Sequence, residues 1–233
     1  MLIPIELNKI ALNRVRVILD IIRISIPLLY PNTLKVKVDI GDEITFSSLT
    51  IVSVCPEAAN VHESRIGPLA LFDLNGNVIK KLRQQGLFRV FDLQNKLDLT
   101  EVEKLYLHAI HWLGDSQNQP EITNKVLSLT TCLETFFTPE KDSGLPISNT
   151  ISESIALLMF KDFNNRKAAK KRIKELYDLR SRITHGSKIS VSDDDLIQLM
   201  IFCYSVTRFI SKKLDVYIKR KDIQNEVEIK KLS

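Results

Sequence analysis

From Leu97 to Leu214 the apolar residues of this 233-residue chain recur every three or four positions, a period that helices satisfy and strands do not. Thr100-x-x-Glu103 is a capping-box pattern, and Val102, Leu105, Tyr106, Ala109, Ile110 and Leu113 follow it on one face, with Gly114 as the stop. Pro120 suits a first helical turn, and Ile122, Val126, Leu129, Leu133, Phe136 and Phe137 make the next stripe. Pro139, Gly144 and Pro146 mark residues 138–149 as a loop. Thr150-x-x-Glu153 predicts a helix start, running through Phe160. A long helix is expected from Asn165 to His185, stopped by Gly186. Ser192-x-x-Asp195 opens the last strong helix, whose stripe is Leu196, Leu199, Met200, Cys203, Ile210 and Leu214. The charged tail from Lys219 is expected to fray or to form a peripheral helix. Five helices on short connections predict an up-and-down bundle.

The first 95 residues read differently. Leu34, Val36, Val38 and Ile40 alternate with Lys35, Lys37 and Asp39, the period of a half-buried strand. Gly41-Asp42 reads as a turn, and Ile44 to Val54 as one or two further strands. Asn75-Gly76 suggests a second hairpin between residues 70–74 and Val78-Ile79. Ile5 to Ile26 is β-branched in composition but helical in length, and the length favours a helix. The expected fold is therefore mainly α, a helical domain over 96–233 preceded by a small mixed α/β module over 1–95.

Composition excludes several classes. Hydrophobic residues make up 44% and charged residues 26%, ordinary for a globular domain. The most apolar stretch, Val15 to Tyr30, is interrupted by Asp20 and Arg23, so no membrane-spanning helix is expected. Glu6 falls early and no small-residue cleavage site follows, so no secretory leader is expected either. Cys55, Cys132 and Cys203 are widely spaced and read as reduced, buried thiols of a cytoplasmic protein. With seven glycines there is no phosphate-cradling loop, and G-x-S-x-G, C-x-x-C and H-E-x-x-H are absent. No cofactor is expected. A net charge of +5 favours an anionic partner where the charge is clustered.

The chemistry concentrates in Leu176-Tyr-Asp-Leu-Arg-Ser-Arg-Ile-Thr-His-Gly186. Arg180 falls at the centre of the apolar face formed by Ala169, Ile173, Leu176, Tyr177 and Ile183. A cation there needs an acid, with Glu134 and Glu153 as candidates, or a polar cleft, or another subunit. Glu134 lies off its own stripe and reads as a surface acid or as the partner of Arg180. Arg182 follows Asp178 by four residues, the spacing of a surface ion pair. His185 stands at the helix end, where a lone His is ordinarily a cap. On an ideal helix it lies about 140° and ~7.5 Å from Arg180, so the two converge only by fraying or across a dimer axis. Arg166, Lys167, Lys170, Lys171, Arg172 and Lys174 make a basic run, a solvated face or a phosphate track. His108, His111 and Asp115 share a face at metal-ligand spacing, but a solvent face is the simpler reading.

Arg180-x4-His185, with Leu176-Tyr177 before it and Gly186 after it, resembles the R-x(4–6)-H motif of HEPN domains, in particular the Apea-like branch. His111-Trp112-Leu113-Gly114 and the segment Lys125 to Glu134 are similar to the paired helices of that branch, with Cys132 replacing the small residue of its "A-L-E" element. The resemblance covers about residues 100–215. It implies an all-α homodimer in which two motifs share one cleft. It also implies a metal-independent endoribonuclease of a toxin or antiviral defence system, acting on RNA, with tRNA a candidate substrate. Arg180 and His185 would then be catalytic and Ser181, Glu134 and Tyr177 supporting, with Lys170, Lys171, Lys174 and Arg182 along the RNA. An antitoxin or defence-system protein is an implied partner. Ser181 departs from the Asn, Asp or His common in the wider superfamily, which removes one potential catalytic group. The alternative within the same resemblance is a non-catalytic subunit that binds RNA or nucleotide, or serves as sensor or scaffold.

Overall fold

The computed structural model describes residues 12, 14–25, 48–55, 58–65, 76–84, 86–138, 146–187 and 189–232, the strands by their backbone alone. Helix α1 covers residues 14–25. A hairpin follows, β1 (Ser48–Cys55) antiparallel to β2 (Ala58–Arg65), with Ser48 opposite Arg65 and Cys55 opposite Ala58. Then come α2 (Gly76–Gln84), α3 (Arg89–Gln94), α4 (Glu101–Asn118), α5 (Ile122–Phe137), α6 (Ile147–Met159), α7 (Phe163–Thr184), α8 (Asp193–Ser211) and α9 (Arg220–Lys231). The strand expected over 34–40 and the Gly41-Asp42 turn lie outside the described residues.

The chain is mainly helical, and α5 is its hub. It packs against α4, α6, α7, α8 and α9, and Val126, Leu129, Cys132, Leu133, Phe136 and Phe137 are all buried along it. Thr130, also buried, returns its hydroxyl to the Val126 carbonyl at 2.9 Å, so its polar atom costs little in the core. Cys132 and Cys203 are free and buried, and the Cys203 thiol donates to the Leu129 carbonyl at 3.2 Å.

Two capping boxes fall where the sequence puts them. The Glu103 amide donates to Thr100 Oγ1 at 3.2 Å, and the Thr100 amide to Glu103 Oε2 at 2.8 Å. Ser192 and Asp195 reciprocate in the same way at the head of α8. Thr150 does not cap. The helix begins a turn earlier, with the Pro146 carbonyl accepting from the Asn149 and Thr150 amides at 3.0 and 3.3 Å. Thr150 thus lies inside the helix, and Glu153 pairs instead with Lys170 and Lys231, at 2.8 and 3.0 Å. The tail does not fray: Ile223 and Val227 of α9 are buried, and α9 packs on α6.

The described N-terminal residues do not support a mixed α/β module. Val78 and Ile79, expected as the second strand of a hairpin, lie in α2, with Val78 and Leu82 one turn apart on its buried face, while residues 70–74 lie outside the described residues. Ile21, Ile24, Val78, Leu82, Val90 and Leu93 belong to the same core as the helices after residue 96. Gly114 is a contact point and not a stop. The helix runs on to Asn118, and a Cβ at 114 would lie 2.6 Å from Asp20 Cβ and 2.8 Å from its Cα. The missing side chain lets α1 rest directly on α4.

Candidate functional site

Helix α7 carries most of the site, and the last turn of α5 supplies Glu134. Arg180 Nε lies 3.2 Å from Glu134 Oε1. The Tyr177 hydroxyl donates to that same oxygen, and the Arg180 guanidinium stands 5.8 Å from the centre of the Tyr177 ring. Burial pushes the Tyr177 phenol well up, and its hydrogen bond to Glu134 adds to this, so it stays a neutral donor. The Arg180 side chain is 34% exposed and that of Glu134 is 19% exposed. This is a pair at a rim, not a bridge sealed in the core. Among the described residues no hydrogen bond takes the two Nη atoms of Arg180, and no second acid pairs with it. Of the two acids considered for Arg180, Glu134 is the partner and Glu153 is not.

The helix closes cleanly beyond Arg180. The Gly186 amide donates to the Ile183 carbonyl and the Ser187 amide to the Arg182 carbonyl, each at 3.0 Å, with Gly186 at φ +72. That is a Schellman closure, which needs the left-handed conformation at the glycine. The His185 amide bonds to the Ser181 carbonyl at 3.1 Å, and its side chain is exposed. Fraying therefore does not bring His185 to Arg180, and within one chain no hydrogen bond or ion pair joins them among the described residues. Half-buried Ser181 offers its carbonyl to the Thr184 hydroxyl at 2.8 Å as well.

The basic run is partly neutralised. Lys170 pairs with Glu153 at 2.8 Å, and Lys171 approaches Glu175 at 4.0 Å. Arg172 reaches Asp195 at 2.7 Å and Gln198 at 2.6 Å. Arg166 donates to the Phe160 carbonyl at 3.0 Å. Lys174 and Arg182 are exposed, and among the described residues neither forms an ion pair, so the expected Asp178–Arg182 pair is not made. At 100° per residue, Lys167, Lys170, Lys174, Ser181 and His185 fall along one stripe of α7, beside the face that carries Arg180.

His108, His111 and Asp115 do not converge. His111 Nδ1 is 3.0 Å from Asp20 Oδ2. Asp115 Oδ2 accepts from Gln119 at 2.7 Å and from Ser128 at 3.1 Å, while His108 is exposed. Sequence reasoning missed the cluster that takes His111. Asp20 is 1% exposed, pairs with Arg23 at 2.9 Å and holds the imidazole from the α1 side. Its signal was present, since Asp20 and Arg23 are the two charges inside an apolar stretch, three residues apart on a helix.

No family model, curated protein or solved structure matches this chain. No described helix is long and apolar enough to cross a membrane.

Proposed function

We propose that the protein is a metal-independent endoribonuclease of the Apea-like HEPN type, working as a cytoplasmic homodimer in a defence or toxin system. The observation that carries this reading is the half-exposed guanidinium of Arg180, held by Glu134 through Nε with its Nη atoms uncommitted. Such a fork fits two oxygens of a phosphodiester. RNA supplies the nucleophile. The 2′-oxygen bonds to phosphorus as His185 takes its proton, the bond from phosphorus to the 5′-oxygen breaks, and that oxygen is protonated as it leaves. Arg180 offsets the charge that builds on the phosphorane. Because the two side chains diverge on one helix, the reading requires the cleft to form between two copies. Lys174 and Arg182 are the cations free to follow the RNA backbone, with Lys170 and Lys171 contributing less.

The test is cleavage of a tRNA and mixed RNA pool in EDTA by the wild type and His185→Ala. Fragments ending in 2′,3′-cyclic phosphate, made by the wild type alone, are expected. A folded dimer that cleaves nothing would instead support a non-catalytic RNA-binding, sensor or scaffold subunit, the reading that the paired cations Lys170 and Arg172 favour.

A further inference from the structure

A second cationic cleft lies where the α2–α3 turn meets the end of α8. It encloses about 590 Å³ and is lined by Arg83, Arg89 and Lys212, with Asp92 and Asp215 as the opposing acids. Bare backbone makes its floor. Gly86 sits at φ +82, and a Cβ there would fall 2.4 Å from Ser211 Oγ, so the turn lies directly against α8. Arg89 bonds Asp215 through Nη2, while its Nε is buried and has no partner. Asp215 is 78% exposed, so releasing Arg89 to another anion would strand no buried charge. Arg83 lies 5.3 Å over the Phe88 ring, and among the described residues neither it nor Lys212 has an acid partner. Lys212 also lines a neighbouring cavity of about 470 Å³, whose walls include Leu87, Ile201 and Tyr204. Both volumes fall in the range of small-ligand sites.

We infer that this cleft binds the phosphate monoester of a nucleotide, with the phosphate on Arg83, Arg89 and Lys212 and the organic part directed toward the Leu87–Tyr204 cavity. A phosphate monoester matches the cluster because it carries nearly two charges and three strong acceptor oxygens. Arg89 is held only by an exposed carboxylate, so its guanidinium is available to an anion in the cleft. The two compartments sharing Lys212 suit a ligand with a charged end and a ring. Two sources share this chemistry, a free nucleotide and the 5′-phosphorylated end of an RNA.

Calorimetric titration of the full chain tests the inference. The ligands are adenosine monophosphate, adenosine, and a short RNA with and without a 5′-phosphate. The proteins are wild type, Arg83→Gln with Lys212→Gln, and Arg180→Ala. With the RNAs measured in the Arg180→Ala background, phosphorylated ligands should bind, adenosine and 5′-hydroxyl RNA should bind at least tenfold more weakly, and adding the double substitution should cost tenfold or more with the circular dichroism unchanged. Arg180→Ala should bind adenosine monophosphate as the wild type does, which separates this site from the proposed ribonuclease cleft. Binding of the mononucleotide identifies a free nucleotide, and binding of phosphorylated RNA alone identifies an RNA end. The inference is overturned if no phosphorylated ligand binds, if adenosine binds equally well, or if the double variant binds phosphorylated ligands as tightly as its parent.

Discussion

Glu134 pairs with Arg180 at Nε, 3.2 Å away, and no hydrogen bond takes the Nη atoms among the described residues. A carboxylate that took both Nη atoms would satisfy the arginine and end its usefulness to a phosphate. Holding it sideways fixes its direction instead. Tyr177 donates to the same Glu134 oxygen and keeps that carboxylate in place.

Replacing Arg180 by Ala should therefore lower RNA cleavage by about a hundredfold or more. The protein should lose no more than about 1 kcal/mol of stability, because the pair is partly exposed. Cleavage rate and urea midpoint, measured on one preparation, check both halves. A variant that fails to fold would make the ion pair a structural brace.

Salt dependence distinguishes the cations of α7. Lys174→Gln and Arg182→Gln should each reduce the slope of log affinity against log salt for single-stranded RNA by about 0.7. Lys170→Gln should change it less, since Glu153 already pairs with that ammonium. Filter binding between 50 and 200 mM salt would rank the three, and equal effects would remove the distinction.

Gly114 and Gly76 make a matched pair. Alanine at 114 would push its Cβ into the α1 backbone at Asp20 and should cost about 1–3 kcal/mol. Alanine at 76 meets nothing within 4 Å and should be neutral or slightly stabilising. Thermal melting of both variants reads the contrast directly.

Alanine at 186 meets no neighbour either, yet the φ of +72 is unfavourable for any side chain with a Cβ. The cost should be about 1–2 kcal/mol, while Gly186→Asn should cost less. Denaturant unfolding of the two variants compares them.

His111 links stability to pH. Its hydrogen bond to Asp20 raises its pKa, partial burial opposes this, the charges of Asp20 and Asp115 add to it, and Arg23 works against it. A His raised on folding contributes stability that is fully present below its unfolded pKa of about 6.5 and is lost as pH rises through the folded value. The advantage of wild type over His111→Gln should thus shrink as the pH is raised from about 6.5 into the alkaline range, the direction set by that upward shift. Urea midpoints of both proteins across that range measure it, and a constant difference would exclude the linkage.

The helices from residue 97 onward were legible because apolar spacing and caps are local signals. Thr100 and Ser192 show how far such signals reach, and Thr150 shows their limit. Its box matches in sequence, but Glu153 is claimed by lysines of α7 and α9 that no local window contains. Gly114 misled for a related reason. A buried glycine inside a helix and a glycine beyond its end look alike until the neighbouring helix is placed. Glu134 as the partner of Arg180 was legible as one of two acids, and only the packing of α5 on α7 chose between them. The Asp20–His111 contact joins residues 91 apart and had no local signal beyond two charges in an apolar run.

The docking of α1 also has a consequence for how the chain is made. The Tyr204 hydroxyl donates to the Ile24 carbonyl at 2.7 Å, closing a separation of 180 residues. Helix α1 thus completes its seat only after α8 has been made. Until then Ile21 and Ile24 have no complete core to enter, although Asp20 can already meet His111 of α4. Synthesis stalled before α8 would yield an N-terminal helix with an exposed apolar face, a ready substrate for chaperones.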